Sequence, residues 1–300
     1  MHKLSLRFFY LFLVLGLFIT GCGPEEPLLP AGPEDEVSEM APDLLVEWTD
    51  VLLGAERFAG GMRPNGSARA LAHIYLAAYE TAQPSMADKY ISNFYDPEGR
   101  LYLPDEPQPN VEVDVELALH ACLNTVVNHF LINLPDSCRQ EIANFAAGKR
   151  AQLSAELSDR EIIQADNYGR YIALRVIAYS QTDTEAETQI QDPQPLSYVP
   201  PVAPGYWTFS AEPERGLFPF WERTNTFVLA ADEATTVPPI PYSTEPGSPY
   251  RLEMEEVYQA NNDALAEDGE QLWIAEFWSD DVTGLMMSPP ARQIAIANQL

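Results

Sequence analysis

The chain has 300 residues, of which 17 are Lys or Arg and 45 are Asp or Glu, giving a formal net charge of −28 at pH 7 with 46% hydrophobic residues. That length suffices for one large helical domain or two smaller ones with a real core. A balance so negative repels polyphosphate backbones and anionic headgroups, so it excludes nucleic acid and argues against anionic lipid surfaces as partners.

Lys3 and Arg7 precede an unbroken apolar run from Phe8 to Phe18, which is followed by Ile19-Thr20-Gly21-Cys22. A positive start, an apolar stretch too short to span a bilayer and small residues before a cysteine predict a lipoprotein signal over residues 1–21, with Cys22 the lipidated first residue. The bland reading of the same residues is a signal anchor with a chance cysteine. Lipidation implies an exported protein anchored to a bacterial membrane, the outer membrane in particular, facing the periplasm or the surface. Loss of Lys3 and Arg7 with the signal would take the charge from −28 to −30. Residues 22–41, rich in Pro and Glu, predict a disordered tether.

From there to residue 180 the pattern is helical. Leu44, Leu45, Trp48, Leu52 and Phe58 fall at helical spacing before Gly60-Gly61, and Leu71, Ile74, Tyr75, Ala78 and Ala82 share one face of a second helix over 67–83. Pro97, Pro104, Pro107 and Pro109 break residues 90–110 into a loop, after which 113–134 is strongly apolar at helical period. Ser137 with Gln140, and Ser158 with Glu161, each match a capping box and predict helices ending near Leu157 and Ser180. Five helices without a convincing strand predict an all-α helical bundle over residues 42–180.

Cys122 and Cys138 flank the Leu134-Pro135 break. In an exported chain their placement leaves two alternatives open, a disulfide between them or two buried free thiols. His120 and His129 lie nine residues apart on one helix, hence on opposite faces, so they cannot share a metal ion. His73 has no acidic or thiol partner at ligand spacing and reads as a core or partly exposed histidine.

Between Gln181 and Pro249 the texture changes: twelve prolines stand among Tyr198, Tyr206, Trp207, Phe209, Phe218, Phe220, Trp221, Phe227 and Tyr242. Proline at that density forbids regular helix and aromatics at that density forbid a solvated linker, so residues 181–249 predict a segment wrapped over the bundle. Residues 250–300 predict three more helices: one capped by Ser248-Pro249 and running to about Asn262, then 269–278 and 290–300. The sequence stops inside the last of these, which predicts an uncovered apolar face at Ile294, Ala295, Ile296 and Leu300. From Val176 to Leu300 four basic residues face twenty acidic ones, a net of −16 that reads as a solvated surface.

Two stretches carry a family resemblance. The first is Asn65-Gly66-Ser67-Ala68-Arg69-Ala70-Leu71-Ala72-His73-Ile74-Tyr75-Leu76-Ala77-Ala78-Tyr79-Glu80. The second is the succession Pro204-Gly205-Tyr206-Trp207, Pro219-Phe220-Trp221 with Phe227, the turn from Pro238 to Pro241, Ser248-Pro249-Tyr250, Glu256-Val257-Tyr258 and Ile274-Ala275-Glu276-Phe277-Trp278. In order and spacing they resemble bacterial vanadium-dependent haloperoxidase-like proteins, of the phosphatidic acid phosphatase type 2 superfamily. The resemblance covers the N-terminal half of that family's fold and implies truncation within it. It also implies an oxyanion site for vanadate or phosphate, built from a Lys with a downstream Arg-Pro, a Ser-Gly-His and an Arg followed by a catalytic His, all beyond the aligned region.

A multiply charged oxyanion needs several cationic donors, and a histidine to bond to the metal or attack phosphorus. The four histidines here follow Met1, Ala72, Leu119 and Asn128, so no Gly-His exists, and Arg63-Pro64 has only Lys3 upstream. No residue matches a catalytic, cofactor-binding or metal position of the family. Vanadate is expected only with the missing C-terminal half, which makes a separately encoded catalytic half, or a second copy of the chain, the expected partner. Asp280-Asp281 with Glu276 lacks the Gly-punctuated loop of a calcium site, and there is no Gly-rich phosphate loop or G-x-S-x-G elbow. The resulting reading is the scaffold and aromatic cap of a lipid-anchored haloperoxidase-like or related phosphatase protein, inactive alone. The alternative is a non-enzymatic surface lipoprotein that stacks Tyr206, Trp207, Trp221, Trp273 and Trp278 on a glycan or apolar ligand, set against the commoner role of such rings in a core.

Overall fold

The computed structural model describes residues 40–62, 64–86, 113–209, 215–227, 229, 233, 236–267, 269–280 and 284–299. The signal and most of the tether, Cys22 included, and the loop over 90–110 lie outside the described residues. Among those described there are nine α-helices and no strand, so the fold is all-α. None of these helices is long and apolar enough to cross a membrane.

The first five helices are α1 (Met40–Glu56), α2 (Asn65–Ala82), α3 (Val115–Phe130), α4 (Asp136–Leu153) and α5 (Asp159–Ser180). α3 is central because most of its surface is apolar: Leu117, Ala118, Leu119, Ala121, Cys122, Leu123, Val126, Val127 and Phe130 are all buried, and only Asn128 is exposed. α1, α2, α4 and α5 surround it, and the α3–α5 interface is the most extensive. At roughly 1.5–3 kcal/mol for each large aliphatic side chain removed from water, this helix anchors the domain. α5 approaches it so closely because residue 169 is glycine: a Cβ there would lie 2.0 Å from the Ala118 carbonyl oxygen.

The helix termini repeat the sequence signals unevenly. Ser158 Oγ accepts from the Glu161 N–H while the Glu161 carboxylate accepts from the Ser158 N–H at 2.8 Å, completing the expected capping box. The box expected at Ser137 does not form. Pro135 occupies the N-cap, its fixed φ of −57° already suited to entering a helix, and Ser137 lies inside the first turn. α3 ends at Phe130, short of the expected 134, because the chain turns at Asn133 with a positive φ of 58°. α1 begins at Met40, two residues inside the stretch assigned to the tether.

Beyond α5 the wrapping segment is more ordered at its start than its proline content suggests. Its first proline is Pro193, which leaves room for α6 (Thr184–Gln191), N-capped by Asp183. Two parts then dock differently. Residues 216–227, with a 3₁₀ turn at Trp221–Arg223, are pinned by the Phe218 N–H to Pro193 O (2.8 Å) and by the Phe220 N–H to Gln189 Oε1 (2.9 Å). Residues 201–208 and 236–242 are exposed throughout.

α7 (Pro249–Glu267) and α8 (Glu270–Trp278) form a pair whose principal neighbours are each other, and α7 is exposed without interruption from Arg251 to Asp263. Leu252, Met254, Val257 and Tyr258 on α7 and Trp273 and Ile274 on α8 all stand in solvent. α9 (Pro289–Ala297) behaves differently from the expectation of an uncovered terminal helix. It packs on α1 and α2, with Ala291 fully buried and Ile294 and Ala295 against the core, leaving only Ile296 of that face exposed among the described residues. The buried Glu56 holds this segment: its carboxylate accepts from Ser67 Oγ at 2.8 Å and from the Ser288 N–H at 3.3 Å.

Candidate ligand cavity

The stripe Asn65, Ala68, Arg69, Ala72, His73 follows the i, i+3, i+4, i+7, i+8 spacing of one helix face. α2 turns that face toward the C-terminus of α5 and the 216–227 segment, and between them lies a cavity of ≈ 360 Å³. Its small residues leave the space, and its two long ones carry the chemistry. Tyr179, Asp183, Trp221, Asn225, Phe227 and Pro290 complete the wall. The volume falls at the lower end of the ~300–1,000 Å³ common for small-molecule sites.

Arg69 is engaged through one of its guanidinium nitrogens. Its Nη2 donates to Ser180 O at 2.6 Å, at the buried carbonyl end of α5, and to Glu187 on α6 at 2.9 Å. It therefore clasps three helices, and it also borders a second cavity of ≈ 220 Å³ lined by His129, Phe130 and Ile190. Asp183 is equally occupied: one carboxylate oxygen caps α6 at the Ala186 N–H (3.2 Å), and the other receives the Asn225 N–H (2.9 Å), fixing the loop that carries Phe227.

His73 sits between these groups. Its Nδ1 is 2.8 Å from Arg69 O, and since a carbonyl only accepts, Nδ1 carries the proton and Nε2 keeps a bare lone pair. Rings hold the imidazole in place: Phe130 stacks at 5.3 Å, Phe227 meets it edge-on at 5.0 Å, and Tyr179 is tilted at 6.0 Å. Burial drives its pKa down to about 4, so it is neutral at physiological pH. A base that weak is poorly matched to proton transfer near neutrality; its use here is as a hydrogen-bond acceptor.

The other two histidines among the described residues, His120 and His129, have separate surroundings, as their opposite helix faces require. Trp48 Nε1 donates to His120 Nδ1 at 3.2 Å and burial lowers the His120 pKa to about 4. That leaves the proton on its Nε2, the reverse of His73. His129 lies edge-on to Phe130, with burial again lowering its pKa. Among the described residues no group of three His, Cys, Asp or Glu is placed to hold a metal ion. Nor do the described residues fit an oxyanion such as vanadate. In the cavity where His73 and Arg69 meet, the arginine is bonded to Glu187 and a carbonyl, with the Asp183 carboxylate in the same wall.

The remaining sequence candidates are dispersed. Cys122 and Cys138 are both buried free thiols, so the disulfide alternative is not realised. At 1.5 Å per residue Cys122 lies about 12 Å from the end of α3 and Cys138 only about 3 Å into α4, so the antiparallel pair is out of step. The Cys122 thiol instead donates to Ala77 O at 3.5 Å, and burial pushes its pKa up to about 12. The five aromatic candidates fall in three local groups: Tyr206 with Trp207 and Phe209, Trp221 with Phe218, and Trp273 with Phe277 and Trp278. Four of the five are exposed and Trp221 is half-buried, so they are not core residues. Sequence reasoning missed the Arg69, Tyr179, Asp183 and Phe227 assembly. The only local signal was the Arg69/His73 spacing on the small-residue face of α2.

No protein-family profile and no curated protein matches this sequence. Among solved structures the chain is similar to the crystal structure described as that of the first bacterial vanadium-dependent iodoperoxidase, with a TM-score of 0.66 and 22% identity. The match covers 85% of this chain and 60% of that one, so the chain spans about three fifths of its neighbour's length. The likeness is one of fold: the two chains share an all-α helical scaffold.

Proposed function

We propose that this chain is the N-terminal scaffold of an exported, lipid-anchored haloperoxidase-like protein of the phosphatidic acid phosphatase type 2 superfamily. Its oxyanion chemistry would be supplied by a further segment, fused or separately encoded. The observation that carries the reading is the asymmetric overlap, 85% of this chain against 60% of the iodoperoxidase. Two others support it. The sequence has no Gly-His, and the arginine beside His73 is already paired with Glu187. The apolar side chains left in solvent on α7 and α8 offer such a segment a surface to cover.

Joining or co-expressing residues 22–300 with a downstream segment carrying Lys, Arg-Pro, Ser-Gly-His and Arg…His should yield vanadate-dependent halide oxidation with peroxide, or phosphate-ester hydrolysis. Residues 22–300 alone should show neither. Halide oxidation by that piece alone overturns the proposal, and downstream DNA without those motifs favours a ligand-binding surface lipoprotein instead. The anchor is tested separately: Cys22→Ala should move the protein from the membrane to the soluble fraction.

A further inference from the structure

We propose that the His73 cavity binds a small, neutral aromatic molecule carrying one hydroxyl or N–H donor, of the phenol or indole class. The inference does not depend on the proposed function, since every group it uses belongs to this chain.

The lining sets the class. Tyr179, Trp221 and Phe227 offer ring faces and edges, and Pro64, Ala68, Ala72 and Pro290 give apolar walls without bulk. Aromatic ligands gain from offset or edge-on contact with such rings beyond the area they bury. One acceptor is fixed among them. The bond from His73 Nδ1 to Arg69 O orients the ring and settles its tautomer. The described residues bring no donor to Nε2, which makes it the acceptor that the imidazole offers to the cavity it lines. An acceptor so placed rewards a ligand O–H or N–H and leaves a desolvated lone pair unmatched by a purely apolar guest.

The charges exclude the alternatives. An anion finds the arginine of the lining already paired with Glu187 and bonded to Ser180 O, and it meets the Asp183 carboxylate. A cation would have to share the Asp183 oxygens with the Ala186 and Asn225 N–H groups that they already accept. The ≈ 360 Å³ volume limits the guest to a small ring system.

The test is calorimetric titration of the full chain with phenol, anisole and benzoate, joined to ¹⁵N NMR of the histidine side chains. Phenol should bind saturably and shift the His73 Nε2 resonance. Anisole, which lacks the donor, should bind roughly two- to tenfold more weakly, the worth of one net hydrogen bond. Benzoate should bind more weakly still. His73→Phe should erase the difference between phenol and anisole. Equal binding of phenol and anisole to the unaltered protein, no saturable phenol binding, or tighter binding of benzoate than of phenol would each overturn the proposal. These comparisons hold even where His73→Phe fails to fold.

Discussion

Gly169→Ala should be among the most damaging single-methyl additions in this protein, although on an isolated helix it would be favourable. Gly169 lies midway along α5, where alanine gains about 1 kcal/mol in helix propensity. The added Cβ, however, would stand 2.0 Å from Ala118 O, 2.9 Å from Ala118 C and 3.0 Å from Cys122 N. All three are backbone atoms of the central helix, so no side-chain rotation relieves the contact. α3 and α5 must separate by more than an ångström along their most extensive interface. Overpacking a close-packed core typically costs about 1–3 kcal/mol and sometimes more, and a backbone clash belongs at or beyond the top of that range. After the propensity gain, a net loss of about 2 kcal/mol or more remains. Gly148→Ala is the internal control. It lies in the interior of α4, where the added Cβ meets nothing within 4 Å, so it should stabilise by about 0.5–1 kcal/mol. Urea unfolding followed by circular dichroism reads both, as shifts of the midpoint in opposite directions at constant slope. A Gly169→Ala midpoint at or above that of the parent would show that α3 and α5 do not approach this closely.

Stability should also fall as pH drops from about 6.5 to 4. His73 and His120 both have folded pKa values lowered to about 4, so over that window the unfolded chain binds protons that the folded one refuses. Their contribution is intact above pH 6.5, is lost progressively down to pH 4 and is flat below it, and His120→Asn should shallow the slope in a pH series of urea midpoints. Cys122, with its pKa near 12 and its side chain sealed in the core, should resist alkylation at pH 8 until the protein unfolds. Mass spectrometry of a non-reduced digest should find Cys122 and Cys138 unlinked, and a linked peptide would contradict the packing of α3 against α4. Glu56→Ala should cost about 1–3 kcal/mol by stranding Ser67 Oγ and the Ser288 N–H. It should speed proteolysis ahead of α9 before the rest of the domain is cut; uniform cleavage would show that Glu56 does not tether that segment.

How far the sequence foretold the fold depends on where each element's stabilisation comes from. α3 could be recognised because its own side chains, apolar over most of its surface, decide its fate, and the Ser158 box could be recognised because both partners lie within three residues. Ser137 matched the same local rule, yet Pro135 two residues earlier set the entry to α4 and left the serine nothing to cap. α6 was hidden by averaging: proline density over 181–249 masked a stretch whose first proline comes only at Pro193. The aromatic residues misled in another way. Ring chemistry alone does not separate a core tryptophan such as Trp48, 1% exposed, from Trp273, 59% exposed. What separates them is whether the rest of the fold supplies a facing surface.

The same distinction governs the histidines, and through them the cavity. His73 and His120 are buried, neutral and indistinguishable by their helical sequence surroundings, but they hold their protons on opposite nitrogens. The Trp48 indole N–H, 72 residues away in sequence, spends the Nδ1 lone pair of His120 inside the core. Arg69 O, one helical turn away, takes the Nδ1 proton of His73 and leaves Nε2 to the cavity. The Arg69 side chain that marks the stripe as polar is drawn off by Glu187, 118 residues downstream, which turns what resembles a cationic site in sequence into an aromatic pocket with a single acceptor. Chemistry decided by partners so far along the chain has no local signature. A polar pair at i, i+4 on a small-residue helix face shows only that something must meet it there.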